Sequence, residues 1–322
     1  MSKGLNRGEY AELCRREGER IPLMARAWWM EAVCRPSGKE WGAIVVRNED
    51  GATIGAMPYQ LVRRLKLGFI LIPQLTQHGI LWTAEGVDRI ATIRLIVKEL
   101  RRTMLRKMVV MVHLAAYMTD EEEAEFRAAG FEVRQRPTYR INDLSDIKAT
   151  ERRFADGKRW KINRAIRQGY VTDRDVPLDE LYSLAEQCFG ARGQAVIYPY
   201  EMLKAVYEGA EGKCQIIGSR IGTTGELVAA IMMVRDARTA YYLVTSFAPQ
   251  HCREGVMELT TRECIRWAAE HGTAFDFEGS DVPSVAEAYR RYGSEKQSYS
   301  FVTWYASKAI KWVLQKQGKG VL

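Results

Sequence analysis

Two carboxylates stand two positions apart in a short apolar segment near the C-terminus, at Asp276 and Glu278. If residues 274–278 form a strand, alternation places both carboxylates on one face and Phe275 and Phe277 on the other. On a face that lines a cleft, partial desolvation would raise a carboxyl pKa, and Glu278 could take a proton from an attacking ammonium or bind it electrostatically. The alternative is structural, with one carboxylate capping the turn that follows or pairing with a basic helix.

Tyr289 is a candidate proton donor on the helix that follows this segment. A phenol, with a reference pKa of about 10, donates well to a leaving group of comparable basicity. The alternative is an aromatic packing residue whose hydroxyl lies at the surface. Tyr292, one helical turn further on, is the second candidate for the same role.

A third candidate feature is the segment at residues 152–174, which carries eight lysines and arginines. An apolar stripe within it predicts an ordinary helix with a solvated charged face. The alternative is a phosphate-binding face, on which Lys158, Arg159 and Arg164 would bind a nucleotide-linked substrate or tRNA. The residues themselves leave both interpretations open.

The elements that must position these residues occur twice along the chain, in the same order. In the first half, a hairpin at 42–46 and 53–57 precedes a basic amphipathic helix at 87–106, a buried strand at 109–114 and an acidic helix that ends at Gly130. In the second half, a hairpin at 214–221 and 227–234 precedes a strand at 239–247, a helix at 256–270, the strand at 274–278 and a helix at 283–291 that ends at Gly293. This order predicts a duplicated α/β architecture.

The two copies also agree in register when Gly130 is aligned with Gly293. Phe126 then falls over Tyr289, and His113 falls over Asp276. Since phenylalanine cannot donate a proton, we expect only the C-terminal copy to carry out chemistry. We predict a first domain at 1–142, a second and catalytic domain at 143–305, and a C-terminal helix at 306–322 that packs back on the first domain.

Composition restricts the functional classes further. The chain has 322 residues, 47 % of them apolar, which is enough for two ordinary domains and argues against wholesale disorder. Six scattered cysteines without a C-x-x-C pair predict free thiols, and four histidines without ligand spacing predict no metal site. The absence of a long apolar stretch or a signal-like N-terminus predicts a cytoplasmic protein without a membrane span. The net charge of +8 favours anionic partners.

The ending A-E-A-Tyr289-R-R-Tyr292-Gly293 resembles the last helix of the GNAT acyltransferases, which often reads A-x-x-x-Y-x-x-x-G-F. Together with the segments at 27–34, 158–165 and 275–280, the order of elements resembles the FemAB-like double-GNAT proteins over nearly the whole chain. The resemblance implies an α/β (α+β) fold of two tandem GNAT-like domains, each with a mixed, mostly antiparallel sheet flanked by helices.

The resemblance also implies a reaction and a donor. Members move an acyl or aminoacyl group onto an amine, from acyl-coenzyme A in GNAT proteins and from aminoacyl-tRNA in Fem-type members that build peptidoglycan cross-bridges. GNAT proteins commonly use a tyrosine as proton donor at the position of Tyr289. Their pyrophosphate loop, R/Q-x-x-G-x-G/A, matches residues 249–256 only in part, where Arg253 and Gly255 remain but the spacing differs. We assign donor binding to these two residues and Ser246.

We therefore predict a bacterial-type N-acyltransferase that moves an acyl group from acyl-coenzyme A to an amine. Tyr289, Glu278 and Asp276 would act in catalysis, and Lys158, Arg159, Arg164 and Gln77 would bind substrate, with Gln77 in a loop that resembles a cleft-lining loop of the group. No tightly bound cofactor is expected. The first alternative is a FemAB-type aminoacyl-tRNA-dependent transferase acting on a peptidoglycan precursor, and the second is a non-catalytic binding protein. The acceptor would be a small-molecule or cell-wall-precursor amine, and no oligomeric state is predicted.

Overall fold

The structure is a computed structural model that describes residues 6–77 and 79–316. It divides into two compact units: the described residues up to Arg136 together with those from Ser298 onward, and Pro137–Gln297. These compact units divide the chain after residues 136 and 297. The domain boundaries predicted from the sequence, at residues 142 and 305, stay a prediction. The part of the predicted C-terminal helix at 317–322 lies outside the described residues.

The helices follow one another along the whole described chain. They are α1 (Arg7–Glu17), α2 (Ala27–Cys34), α3 (Arg89–Arg106), α4 (Asp120–Ala128), α5 (Ile147–Arg152), α6 (Asp156–Arg167), α7 (Leu178–Gly190), α8 (Tyr200–Gly209), α9 (Val256–Glu270), α10 (Pro283–Arg290) and α11 (Lys308–Lys316). Among them, no helix has the length and hydropathy that crossing a bilayer requires.

The strands are β1 (Glu40–Arg47), β2 (Thr53–Arg64), β3 (Leu67–Leu71), β4 (Trp82–Thr83), β5 (Val109–Ala116), β6 (Glu132–Ile141), β7 (Tyr170–Asp173), β8 (Cys214–Ile221), β9 (Leu227–Arg235), β10 (Thr239–Phe247), β11 (Ala274–Asp276) and β12 (Glu295–Tyr305). Local sequence explains several boundaries. Between β1 and β2, the Asn48 side chain accepts a hydrogen bond from the Ala52 N–H at 2.8 Å, and Gly51 adopts a positive φ of 81°. The predicted hairpin is therefore confirmed.

The sheet of the first unit has the order β1-β2-β3-β5-β12, with β4 paired to β2. Its strands are antiparallel except for the parallel pair β3 and β5. Helix α3 packs on this sheet and buries Ile93, Ile96 and Leu100 against it. Phe126 of α4 is buried in the same core.

The sheet of the second unit has the order β6-β11-β10-β9-β8-β7. Only β10 and β11 are parallel among its pairs that the structure describes. Helix α9 contacts β8 and β9, and α7 contacts β9 and β10. The core includes Ile231, Met233, Leu259, Phe275 and Phe277.

The duplication predicted from the sequence is confirmed by the strand order. In the first unit β5 lies between a parallel neighbour, β3, and an antiparallel one, β12; in the second unit β11 lies between parallel β10 and antiparallel β6. His113 pairs across from Thr303, and Asp276 pairs across from Arg140. The strand that completes each sheet comes from the other half of the chain, which the sequence analysis does not predict.

Candidate active site

Asp276 ends strand β11 and is fully buried. Its Oδ1 accepts hydrogen bonds from the Thr138 hydroxyl at 2.5 Å and from the backbone N–H of Glu278 at 2.8 Å. Its Oδ2 lies 3.5 Å from Nε of Arg140 on β6. These contacts match the structural interpretation, in which one carboxylate caps the following turn. They make Asp276 a positioning residue, and a direct catalytic part for it stays a prediction.

Glu278 departs from the predicted strand geometry. The strand ends at Asp276, and Glu278 adopts a left-handed conformation with φ 59°, followed by Gly279 with φ 70°. A Cβ on Gly279 would overlap the carbonyl oxygen of Pro137, so the turn needs glycine there. A non-glycine residue held at positive φ stores strain, which is a recurring feature of functional sites.

The side chain of Glu278 is only 3 % exposed, and its Oε1 has no hydrogen-bond partner among the described residues. Burial raises the pKa of this carboxyl well above its usual value, and the charge of Asp276 raises it further. A buried carboxyl without a partner for one oxygen is costly for the fold. Glu278 is therefore the strongest candidate for a catalytic carboxyl in the second unit.

Tyr289 on α10 packs beside this turn. Its ring stacks on Phe277 with centroids 4.6 Å apart and contacts the rings of Tyr139 and Tyr242 at 6.3 and 6.1 Å. Burial raises the pKa of Tyr289 to about 12, and the Glu278 charge contributes in the same direction. The phenol therefore keeps its proton at neutral pH, as a proton donor requires.

Tyr292, the second candidate for proton donation, is a core residue. It is almost fully buried, and its ring contacts those of Phe154 and Phe277 at 5.2 and 5.5 Å. The ammonium of Lys158 lies 4.4 Å from its ring centroid. These surroundings favour Tyr289 over Tyr292 as the proton donor.

Strands β10 and β11 of the second unit pair over only part of the length of β10. They pair only over residues 239–241 and 274–276, whereas β10 continues to Phe247. From Val244 to Phe247, β10 pairs with β9 on its other edge, after a register shift between Tyr242 and Val244. Among the described strands, none pairs with the edge of β10 that faces β11 over this stretch. Ser246, predicted to bind the donor, is fully buried on this part of β10.

Gly255, in the predicted donor loop, directly precedes helix α9. Gly255 has φ 85°, and a Cβ there would overlap the carbonyl oxygen of Lys161, so only glycine allows α6 to approach this closely. Arg253, the remaining predicted donor-binding residue, is exposed. It is available to an anionic ligand at the helix start.

The predicted substrate-binding cations on α6 have partners within the second unit. Arg164 binds Glu254 at 2.9 Å, while Lys158 and Lys161 bind Glu258 at 3.2 and 2.9 Å. Burial of Glu258 acts to raise its pKa, but the two lysines outweigh it and the pKa is lowered. These ion pairs join α6 to the start of α9, so carboxylates of the protein itself bind Lys158 and Arg164, which were predicted to bind a phosphate.

The other two predicted substrate-binding residues are also engaged. Arg159 donates to the backbone carbonyls of Arg152 at 2.6 Å and Phe154 at 2.5 Å. Gln77 lies in the first unit, where the Tyr299 hydroxyl donates to its Oε1 at 3.3 Å. A substrate-binding role for Lys158, Arg159, Arg164 and Gln77 stays a prediction.

Comparison with known proteins identifies a domain in the second half of the chain. A family model described as "Acetyltransferase (GNAT) domain" matches residues 144–291, which include the turn at Glu278 and all of α10. The chain contains a GNAT acetyltransferase domain at these residues. No curated protein sequence matches it significantly.

Solved structures similar to this chain cover both of its units. "Crystal structure of FemX" matches with a TM-score of 0.67 and 11 % identity, over 92 % of this chain and 95 % of the other. A "Tandem GNAT protein from the clavulanic acid biosynthesis pathway" matches with a TM-score of 0.59 and 15 % identity, over 95 % and 96 %. L-PGS from Bacillus licheniformis matches with a TM-score of 0.57 and 16 % identity, over 85 % and 88 %. These likenesses confirm the predicted tandem GNAT fold of FemAB-like type.

The described residues also limit which cofactors this acyltransferase could hold. No group of three or more His, Cys, Asp or Glu side chains in the described part of the chain could hold a metal ion. Sequence analysis missed Thr138, Arg140, Lys161, Glu254 and Glu258, since each acts through a partner distant in sequence.

Proposed function

We propose that this GNAT acyltransferase moves an acyl group from acyl-coenzyme A to an amine acceptor. The observation that carries the proposal is the unpaired edge of β10 beyond Tyr241, which runs toward the start of α9. The amide groups of a pantetheine arm are chemically suited to pair with free strand N–H and C=O groups. Arg253 and the first N–H groups of α9 would face the donor's phosphates.

In this reaction the acceptor nitrogen attacks the thioester carbonyl, forming a C–N bond and breaking the C–S bond. Glu278 receives a proton from the amine, because burial raises its pKa and thereby makes its carboxylate a stronger base than an ordinary one. Tyr289 donates its proton to the departing thiolate sulfur, and afterwards Glu278 releases its proton to solvent while Tyr289 recovers one from solvent. Asp276 holds the Glu278 backbone N–H and thereby fixes the turn. We place the reaction in the cytoplasm, in keeping with the free thiols of the chain's described cysteines.

The second candidate donor is aminoacyl-tRNA, with a peptidoglycan precursor as acceptor. The observation that favours it is the pair of acidic side chains, Glu254 and Glu258, at the start of α9. Negative charge there opposes the binding of a pyrophosphate, even though α6 cations neutralise part of it. The similarity in fold to FemX supports the same alternative.

A thermal-shift screen with coenzyme A, acetyl-coenzyme A and bulk tRNA distinguishes the two donors. We expect either coenzyme A compound to raise Tm, since a ligand of the native state stabilises it by mass action. Arg253→Ala should weaken that binding about tenfold by removing a charge-assisted contact. Arg238→Ala, at another exposed arginine, is the matched control and should bind normally. A shift with tRNA alone would transfer the proposal to the second donor.

Tyr289→Phe tests the proton donor directly. We expect kcat for acyl transfer to fall about 10- to 100-fold with little change in KM, because the ring and its stacking on Phe277 remain. The free energy of unfolding should change by less than about 1 kcal/mol. Steady-state kinetics and urea denaturation measure the two quantities. Unchanged kcat would leave Tyr289 as a packing residue, the alternative given for it above.

A further inference from the structure

Two neighbouring segments of the first unit form a surface that contains none of the residues assigned above to the transfer reaction. We call it the basic apolar tip, and it consists of residues 63–67, at the turn between β2 and β3, and residues 101–108, at the end of α3. The two segments lie next to each other: the N–H of Gly68, directly after the first segment, donates to the Met108 carbonyl of the second at 3.0 Å. A Cβ on Gly68 would crowd the Lys107 carbonyl oxygen at 2.7 Å, which shows how closely the segments approach.

Large apolar side chains of the tip point into solvent. Leu65 is 100 % exposed and Leu105 is 81 % exposed. Met108 is 53 % exposed, and Leu67 is also classed with the exposed side chains. Single exposed leucines are common on protein surfaces, but several together on adjoining loops mark an interaction site.

The backbone conformation at Leu65 and Met108 disfavours the large apolar side chains that these positions carry. Leu65 and Met108 both have positive φ, at 56° and 49°, where glycine or asparagine is favoured. At both positions the chain carries a large apolar residue that gains little burial and strains its backbone. Neither burial nor backbone preference therefore accounts for large apolar residues at Leu65 and Met108.

The charge of the tip indicates what it contacts. Its two segments contain seven lysines and arginines and no acidic residue. Glu40 and Glu99 pair with some of the arginines from outside the segments. Within the described residues, the ammonium groups of Lys66 and Lys107 have no ion-pair partner. Apolar side chains flanked by free cations are the pattern expected at the surface of an anionic bilayer.

We propose that the basic apolar tip docks the protein reversibly on an anionic lipid bilayer. Leu65, Leu105 and Met108 would enter the boundary between headgroups and acyl chains, and Lys66 and Lys107 would lie among the lipid phosphates. A folded protein is a less suitable partner for the tip than a bilayer, because protein–protein interfaces are depleted of lysine. The proposal is independent of the donor identity and of the residues around Glu278.

Vesicle co-sedimentation tests the docking with the whole protein. We expect binding to vesicles of equal parts phosphatidylcholine and phosphatidylglycerol, weaker binding as salt rises, and little binding to phosphatidylcholine alone. Lys66→Glu with Lys107→Glu should reduce binding to the anionic vesicles at least about tenfold. The matched control, Lys148→Glu with Lys204→Glu, makes the same net charge change at two exposed lysines outside the tip and should retain binding.

A second variant separates docking from folding. Leu65→Gly with Met108→Gly removes two apolar groups where the backbone favours glycine, so it should lose vesicle binding while Tm stays equal or rises. A lower Tm would show that the two residues serve the fold. Failure of the wild type to bind anionic vesicles at low salt would overturn the proposal. Binding of tRNA that depends on Lys66 and Lys107 but not on Leu65 and Met108, without vesicle binding, would also overturn it and would assign the tip to RNA.

Discussion

We expect Glu278→Gln to lower kcat for acyl transfer by about 10²- to 10⁴-fold, the range that a positioned acid or base contributes. Glutamine keeps the shape of the side chain but can neither take nor release a proton at neutral pH. Glu278 is almost fully buried, its Oε1 lacks a partner within the described chain, and its charge acts on Tyr289. Steady-state kinetics of the purified variant measure the loss.

The same variant changes how stability depends on pH. Because the folded state raises the pKa of Glu278, it binds this proton more tightly than the unfolded chain does. The wild-type free energy of unfolding should therefore fall as pH rises from the usual glutamate pKa, about 4.5, toward the folded-state value. In Glu278→Gln this decrease should be absent, so the variant should equal or exceed the wild type in stability near neutral pH. Urea denaturation across this pH range measures the difference.

Glu287→Gln is the matched control for this experiment. Glu287 lies on α10 near Tyr289 but forms partly exposed ion pairs with Arg290 and Arg291, both at 3.2 Å. Exposed pairs of this kind contribute little, so neither kcat nor the pH dependence should change measurably. If Glu278→Gln retained full kcat, Glu278 would have no part in proton transfer. The acyl transfer itself could still proceed through Tyr289 and the donor-binding groups.

The order of elements could be predicted from sequence because it depends on local patterns. Helix α9 and strand β10 have the predicted bounds, since apolar periodicity and the flanking glycines identify them. The exchange of β6 and β12 could not be predicted in this way. Strand pairing is a long-range choice, and neither strand carries a local sign of its partner.

The candidate site was predictable in residue types but not in conformation. Alternation predicts Phe275 and Phe277 as neighbours, and their rings lie 4.8 Å apart. It fails at Glu278, whose left-handed turn follows from the contacts of Asp276 with residues more than a hundred positions away. In the same way, the cluster of basic residues around Lys158 suggested that Lys158 binds a ligand. Its partner in the structure is Glu258, which lies 100 residues further along the chain and could not be identified from local sequence.

Gly279→Ala should have the largest effect on stability of the changes considered for the second unit. A methyl group there would overlap the Pro137 carbonyl oxygen and lie 3.0 Å from Cα of Thr138, and these backbone atoms belong to the strand β6 that pairs with β11. Relief would require the turn to move and carry the Glu278 carboxyl with it. We expect a loss of about 3 kcal/mol or more in the free energy of unfolding, and a large fall in kcat.

Gly272→Ala separates the effect of the overlap from that of the backbone conformation. Gly272 also has a positive φ, 64°, but a Cβ there would meet nothing within 4 Å. Its substitution should cost only the conformational penalty, about 1 to 2 kcal/mol, and leave kcat unchanged. Urea denaturation and kinetics of both variants measure the difference, which isolates the contact with β6. Equal losses for the two variants would mean that β6 does not constrain the turn and that Glu278 is held by Asp276 alone.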